Sequence, residues 1–202
     1  MDKTKSLDCF NGYNYVDFGL PSGTLWASSV IKNKLGEPLY FQWGDIEGWT
    51  AEQIKNGEKV FCSSYYKFGE YPFTKYNSED GKRVLDLEDD AAHVHMGGDW
   101  HMPTKEQLEE LSSNTTSKWT TKNGVNGRLF TSMINGKSIF VPTFGCAYNS
   151  SLYNVDDVSC VLSSSVSNYE FGFAWYLYFN SSYVYMGDYN RSFGRCILGV
   201  VG

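Results

Sequence analysis

Three things are scarce in this 202-residue chain, and each scarcity excludes a class of protein. Positive charge is short, with 17 Lys and Arg against 23 Asp and Glu and a net charge of −6. A nucleic-acid binder needs clustered cations to meet phosphates, and after Lys137 the only basic residues are Arg191 and Arg195. Long apolar runs are missing: no stretch of about 18 apolar residues occurs, so no membrane-spanning helix is expected. The start, MDKTKSLDCFNG, has no apolar core of the signal-peptide kind. Cysteine is sparse and odd in number (Cys9, Cys62, Cys146, Cys160 and Cys196), and no Cys-x-x-Cys occurs. These thiols read as small buried hydrophobes rather than a disulfide framework, although the spacing leaves one bridge open.

Metal and nucleophile signals are equally thin. The three histidines, His93, His95 and His101, lie near Asp89, Asp90 and Asp99. On a helix His93 and His95 point about 200° apart, so one face does not present both, and no His-x-x-x-His spacing occurs. The reading is a hydrogen-bonded His93, exposed His95 and His101, and no metal. Ser22, flanked by Pro21 and Gly23, reads as a turn residue rather than a nucleophile elbow. No catalytic residue and no cofactor are assigned.

What the chain does contain is concentrated at its end. Residues 168–196 read NYEFGFAWYLYFNSSYVYMGDYNRSFGRC, and eleven of these 29 residues are aromatic, against 17% overall. The remainder is mostly Asn, Ser, Gly and Asp. Tyrosine among small polar residues is the composition of antibody paratopes, where rigid amphipathic rings supply contact area at low entropic cost. The stretch therefore points to recognition.

The coarse pattern is α+β in one domain spanning 1–202, with two to three short helices and a mostly antiparallel sheet. Thr50 to Gln53 is a capping-box pattern stopped by Asn56-Gly57. Asp86 to Met96 reads as a helix capped by Asp86 and ended by Gly97-Gly98. Pro103 to Gln107 opens a third helix, with Leu108 and Leu111 on one face and an end near Asn114. Arg128–Ile134 and Lys137–Val141 flank Asn135-Gly136, which predicts a hairpin with a type I′ turn.

The tail supports a finer prediction. Trp175, Leu177 and Phe179 alternate with Tyr176 and Tyr178, and Val184 and Met186 alternate with Tyr183 and Tyr185. With a four-residue loop over 180–183, Phe179 faces Val184, Leu177 faces Met186, and Tyr178 pairs with Tyr185 on the other side. A slip of one residue would mix the faces. The apolar set is expected inward and the tyrosines outward, with Asn180, Asp188 and Asn190 supplying polar specificity.

Several blocks resemble a known family: Gly19-Leu-Pro-Ser-Gly-Thr-Leu-Trp-Ala27, Phe41-Gln-Trp-Gly-Asp45, Leu85 to His93, Gly97-Gly-Asp-Trp-His-Met-Pro-Thr104 and Trp119 to Val125. Together they resemble the major-paralogous-domain proteins of gut bacteria and their phages, which implies a C-type-lectin-like fold. The tail resembles the variable proteins of diversity-generating retroelements, whose 3′ coding ends are randomised at adenines. That resemblance implies an invariant scaffold of Ala174, Leu177, Phe179, Val184, Arg191 and Gly194. It implies variable, ligand-binding positions at Tyr169, Phe171, Tyr176, Tyr178, Asn180, Ser182, Tyr183, Tyr185, Gly187, Asp188, Tyr189, Asn190, Ser192 and Phe193. Leu198 stands where the family has an arginine.

The partner implied is a protein or glycan on a cell surface, with no nucleic acid and no membrane insertion. The implied location is a phage tail or bacterial surface, with homo-oligomeric or multivalent display. A virion or pilus packing module is the second reading. A relative of formylglycine-generating enzymes, drawing on Cys146, Cys160 or Cys196, is the third. Calcium-dependent sugar binding is unsupported, since the Glu-Pro-Asn-like and Trp-Asn-Asp-like motifs are absent.

Overall fold

The first and last of the described strands share one sheet. The computed structural model describes residues 8–62 and 67–202. β1 (Asp8–Phe10), β2 (Tyr13–Asp17), β3 (Leu25–Ala27) and β12 (Val200–Val201) lie in the order β1-β2-β3-β12. Val200 pairs with Trp26 and Val201 with Leu25, so the end of the chain closes on its beginning. β1 turns into β2 through Asn11-Gly12, both with positive φ (48° and 83°), as a two-residue type I′ turn demands.

Three short helices follow. α1 (Ala51–Lys55) has the capping box expected at Thr50 and Gln53, with Asn56 at its C-cap. α2 (Ala91–Met96) corrects the sequence reading. Residues 86–96 do not form one helix; a 3-10 turn at Leu87–Asp89 precedes α2, and Asp86 makes no capping hydrogen bond. Asp86 is held instead by Lys75 and Lys82. Asp90 is the cap, and its carboxylate accepts from His93 N at 2.9 Å and from Met102 N at 2.8 Å. A carboxylate shared between the start of α2 and the segment that leads into α3 holds both in place. α3 (Lys105–Ser113) has the Thr104/Gln107 capping box and ends at Asn114, with Leu108 and Leu111 buried, as the sequence predicts.

β4 (Thr115–Lys122), β5 (Val125–Ser132) and β6 (Ser138–Pro142) form an antiparallel meander. The β5–β6 hairpin stands where the sequence places it, but its turn does not. The loop runs from Met133 to Lys137, and only Gly136 has a positive φ. Ser132 Oγ accepts from Ile134 N and Asn135 N, while Asn135 Nδ2 donates to Asp17 O, which tethers a wider loop to β2. The two-residue Asn-Gly turn lies one hairpin earlier, at Asn123-Gly124 (φ 52° and 78°), between the paired residues Lys122 and Val125.

β7 (Cys146–Tyr148) and β8 (Ser151–Tyr153) form a small hairpin. β9 (Ser159–Val166), β10 (Phe173–Phe179) and β11 (Val184–Asn190) form a sheet ordered β11-β10-β9. Every strand ladder among the described residues is antiparallel. With 12% helix and 39% strand, the chain is a mostly antiparallel β protein with few short helices, compatible with α+β. No described helix is long and apolar enough to cross a membrane.

One buried apolar cluster joins these parts, with Trp26, Trp43 and Trp100 fully enclosed. β9 is buried along its whole length despite three consecutive serines. Their hydroxyls are spoken for: Ser163 Oγ donates to Trp175 O, Ser164 Oγ donates to Pro103 O, and Ser165 Oγ accepts from Lys105 N at the start of α3. Buried hydroxyls without such partners would be costly. The bonds clamp β10 and α3 onto β9, and this is the support on which the C-terminal hairpin stands.

Candidate functional site

β10 and β11 pair in the predicted register: Phe179 opposite Val184, Tyr178 opposite Tyr185, and Leu177 opposite Met186. The loop over 180–183 closes because Asn180 Oδ1 accepts from Ser182 N (2.8 Å) and Tyr183 N (3.0 Å), while Asn180 N donates to Tyr183 O. The tip is also anchored from outside. Arg128, only 6% exposed, donates from Nε to Asn180 O at 2.8 Å and from Nη1 to Ser117 Oγ at 2.8 Å. The loop is thereby tied to the β4–β5 sheet.

On the inner side, Leu177 and Phe179 are fully buried, and the Phe179 ring meets Phe130 edge-on at 5.6 Å. Val184 and Met186 are half-buried beside them. Trp175, expected inside, is only half-buried; Lys105 Nζ lies 4.7 Å from its ring and Tyr169 6.4 Å away.

The outer side carries a patch of rings. Tyr178, Tyr183 and Tyr185 form a mutual trio with centroids 4.8–6.0 Å apart. Tyr183 and Tyr185 are 53% and 45% exposed. Farther along β11, Tyr189 meets Phe193 edge-on at 5.1 Å, and Phe193 stacks on Tyr148 at 4.5 Å. Ser182 is exposed in the loop, and Tyr169, at 86%, is the most exposed aromatic of the segment.

Two residues expected at the surface are not there. Tyr176 shares the face of Tyr178 and Tyr185 but is 9% exposed, its ring over the buried Arg195 guanidinium at 4.5 Å. Burial raises its hydroxyl pKa well above the usual tyrosine range. Gly187 makes this possible: a Cβ there would stand 3.0 Å from Tyr176 Cζ and Oη. Ser192 is 1% exposed, held by Asn190 Oδ1 accepting from its N–H.

The polar residues are also committed differently from the sequence reading. Asp188 and Asn190 pair with Trp175 and Phe173, the opposite face from the tyrosine trio. The Asp188 carboxylate accepts from Ser167 Oγ, and the carbonyl oxygens of Asn180 and Asn190 close their own turns. These three side chains shape the hairpin more than they advertise hydrogen-bonding groups. Arg191 lies buried among Phe73 (3.7 Å), Trp43 (5.1 Å) and Phe68 (5.9 Å), cation over ring.

At the base of the hairpin an open cleft of about 680 Å³ is walled by Tyr71, Tyr169, Phe171 and Phe173, with Glu70 and Glu170 among its lining residues. Tyr169, Phe171 and Asn190 come from the predicted set; Glu70, Tyr71 and Phe73 do not. Tyr148 was missed as well. It reaches the patch because Ala147 pairs with Gly194, a contact across 47 residues that no local pattern announces.

No family model, curated protein or solved structure matches this chain. The surface itself therefore carries the functional reading.

The remaining clusters offer less. The five cysteines are free; Cys160 and Cys196 are buried, Cys62 and Cys146 half-buried, and Cys9 exposed rather than enclosed. Burial pushes the Cys160 thiol up to about 11 although Arg195 opposes it, and raises Cys146 and Cys196 too. These thiols stay protonated at neutral pH, the opposite of an activated nucleophile. His95 and His101, expected exposed, are half-buried: His95 Nε2 lies 2.8 Å from Ile46 O and His101 Nδ1 3.0 Å from Asp99 O. Among the described residues the one grouping of three metal-type ligands is Asp86, Glu88 and Asp89, and Lys75 Nζ already lies 2.6–2.8 Å from all three. Ser22 sits in a turn, its hydroxyl bonded to Glu110. A second cleft, of about 470 Å³ beside Val16, Lys32 and Phe140, contains no hairpin residue.

Proposed function

We propose that this chain is a ligand-binding protein of the diversified, C-type-lectin-like kind, in which the C-terminal hairpin presents a sampled surface on a constant scaffold. The observation that carries the reading is the Tyr178–Tyr183–Tyr185 ring trio, with Tyr183 and Tyr185 exposed and Tyr178 half-buried beneath them, on a hairpin whose underside is core and whose tip is bolted by Arg128. Such an arrangement lets outer residues change while Leu177 and Phe179 hold the strands. Contiguous exposed rings on a rigid base mark an interaction surface rather than a reaction centre. The joining of the first and last described strands in one sheet is compatible with the C-type-lectin-like architecture that the sequence resembles.

Binding would work by contact. The tyrosines and Phe193 supply desolvated ring area, hydroxyls add directional bonds, and multivalent display raises weak single-site affinity. The partner is a protein or glycan on a cell surface, and the protein would sit at a phage tail tip or on a bacterial surface. A permanent packing module of a virion or pilus is the second reading, but a patch mixing tyrosines with exposed Ser181 and Ser182 is more polar than an obligate interface.

The test pairs genome and cell. A near-copy of the 3′ coding end, differing at adenines and adjacent to a reverse-transcriptase gene, is expected. Fluorescent protein should label a subset of a panel of gut-bacterial cells, and the Tyr178→Ser/Tyr183→Ser/Tyr185→Ser variant should not. Labelling unchanged in that variant would refute the reading.

A further inference from the structure

The cleft at the hairpin base has a chemistry of its own. Its walls are rings, and two carboxylates, Glu70 and Glu170, stand exposed in its lining. Neither forms a salt bridge among the described residues, whereas Asp45, Asp86, Glu88, Asp89 and Glu109 all do. The cations nearby are already engaged. Arg83 donates from Nη1 to Ser167 O and lies 3.8 Å from the Phe171 ring centre, and Arg191 is buried against Phe73. Two rings of this cleft thus already stack with guanidinium groups of the protein itself.

A ring face carries negative potential, and so does a carboxylate; Arg83 and Arg191 offset this at the Phe171 and Phe73 walls, and the Glu70 and Glu170 side, with Tyr71 and Tyr169, is the part of the cleft that attracts a cation. Gly172 keeps it open. A Cβ there would meet Glu170 Oε1 at 3.5 Å, Phe73 Cζ at 3.7 Å and Glu170 Cγ at 3.9 Å, ordinary contacts, and its φ lies outside the left-handed region. A larger side chain at 172 would therefore fill the cleft without straining the backbone.

We infer that this cleft takes the cationic side chain, arginine or lysine, of a protein ligand whose adjoining surface lies on the Tyr189–Phe193 end of the ring patch, which meets the cleft where the Tyr189 ring lies 5.7 Å from that of Phe173. This rests on the recognition role proposed above and selects a basic protein segment over a neutral glycan. Specificity is then divided: the patch supplies contact area, and the cleft selects charge.

The experiment uses the full chain and defined probes. N-acetyl-arginine amide, N-acetyl-lysine amide, N-acetyl-glutamate amide and methyl glucoside are titrated while the aromatic resonances of Tyr71, Tyr169, Phe171 and Phe173 are followed. Saturable shifts with the two cations and none with the glutamate or the sugar are expected. Glu70→Gln and Glu170→Gln should each weaken binding about fivefold, and Gly172→Leu should abolish it at an unchanged melting temperature. Shifts that do not saturate, equal shifts with glutamate or glucoside, or Gln variants that bind like the parent would overturn the inference. The Tyr178/Tyr183/Tyr185 serine variant is expected to bind the cations normally. Cation binding absent while cell labelling persists would sink the cleft alone; cation binding present while labelling survives the serine variant would sink the recognition reading and leave the cleft standing.

Discussion

Tyr176 is the residue on which strand alternation and three-dimensional packing disagree, and replacing it with serine separates them. By alternation it belongs with Tyr178 and Tyr185 and should be dispensable for folding. In the structure it is 9% exposed, lies opposite Gly187 on β11 and Leu162 on β9, and covers the Arg195 guanidinium at 4.5 Å. Truncating a buried aromatic ring costs about 3–5 kcal/mol. Serine recovers little of that, because its hydroxyl would sit in the vacated space. Arg195, 2% exposed, would also lose a ring partner worth about 0.5–2 kcal/mol. With the two terms overlapping and some collapse of the site, the net loss is about 3–4 kcal/mol. At about 2–4 °C per kcal/mol for a chain of this size, the melting temperature should fall by about 6–16 °C. Tyr183→Ser/Tyr185→Ser is the matched control: both rings are half-exposed, and together they should cost under about 1 kcal/mol. Thermal unfolding by circular dichroism, with a denaturant titration to convert to free energy, reads both. A Tyr176→Ser melting point within about 2 °C of the parent would refute the burial argument and return Tyr176 to the binding face.

Two further outcomes follow from the same geometry. Gly187→Val places a Cβ 3.0 Å from Tyr176 Cζ and 3.1 Å from Tyr185 Cε2, so it should cost about 1–3 kcal/mol in chemical unfolding and shift the Tyr185 resonances. At Asp89, burial acts to raise the carboxyl pKa, but hydrogen bonds from Lys75, Tyr76 and Lys67 outweigh it and hold the carboxyl below its usual range. A depressed folded-state pKa means that the stabilisation is fully present above the unfolded value, about 3.9, and is lost as pH falls through the folded value. Unfolding free energy measured down to about pH 2 should therefore fall on the acid limb. Asp89→Asn should be less stable at neutral pH and show a flatter limb; an identical limb in the variant would refute the assignment.

The parts of the fold that could be read in advance are those whose bonds close within a few residues. The capping boxes at Thr50 and Thr104 satisfy helix starts from side chains three positions apart, and both helices begin where those boxes stand. The β10–β11 register was readable because only one pairing keeps Leu177, Phe179, Val184 and Met186 on a single face. Asn135-Gly136 misled because the same dipeptide at 11–12 and 123–124 forms the tight turn, whereas Ser132 and Asp17 hold the 135–136 loop wider. Asp86 misled for a related reason. Its carboxylate was taken by Lys75 and Lys82, and Asp90 was recruited by Met102, a partner 12 residues on.

The binding surface divides in the same way. The alternating sequence alone determined which strands pair, in which register, and that one side would be rich in tyrosine, because side-chain direction along a strand is a local property. Tertiary structure decided how much of that side faces solvent. Arg195 and Gly187 drew Tyr176 inward, the Ala147–Gly194 pairing added Tyr148, and residues 70–73 built the acidic cleft against Tyr169 and Phe171. Burial depends on what the rest of the chain brings alongside a strand, and that is set by contacts whose partners lie from about ten to about a hundred residues apart.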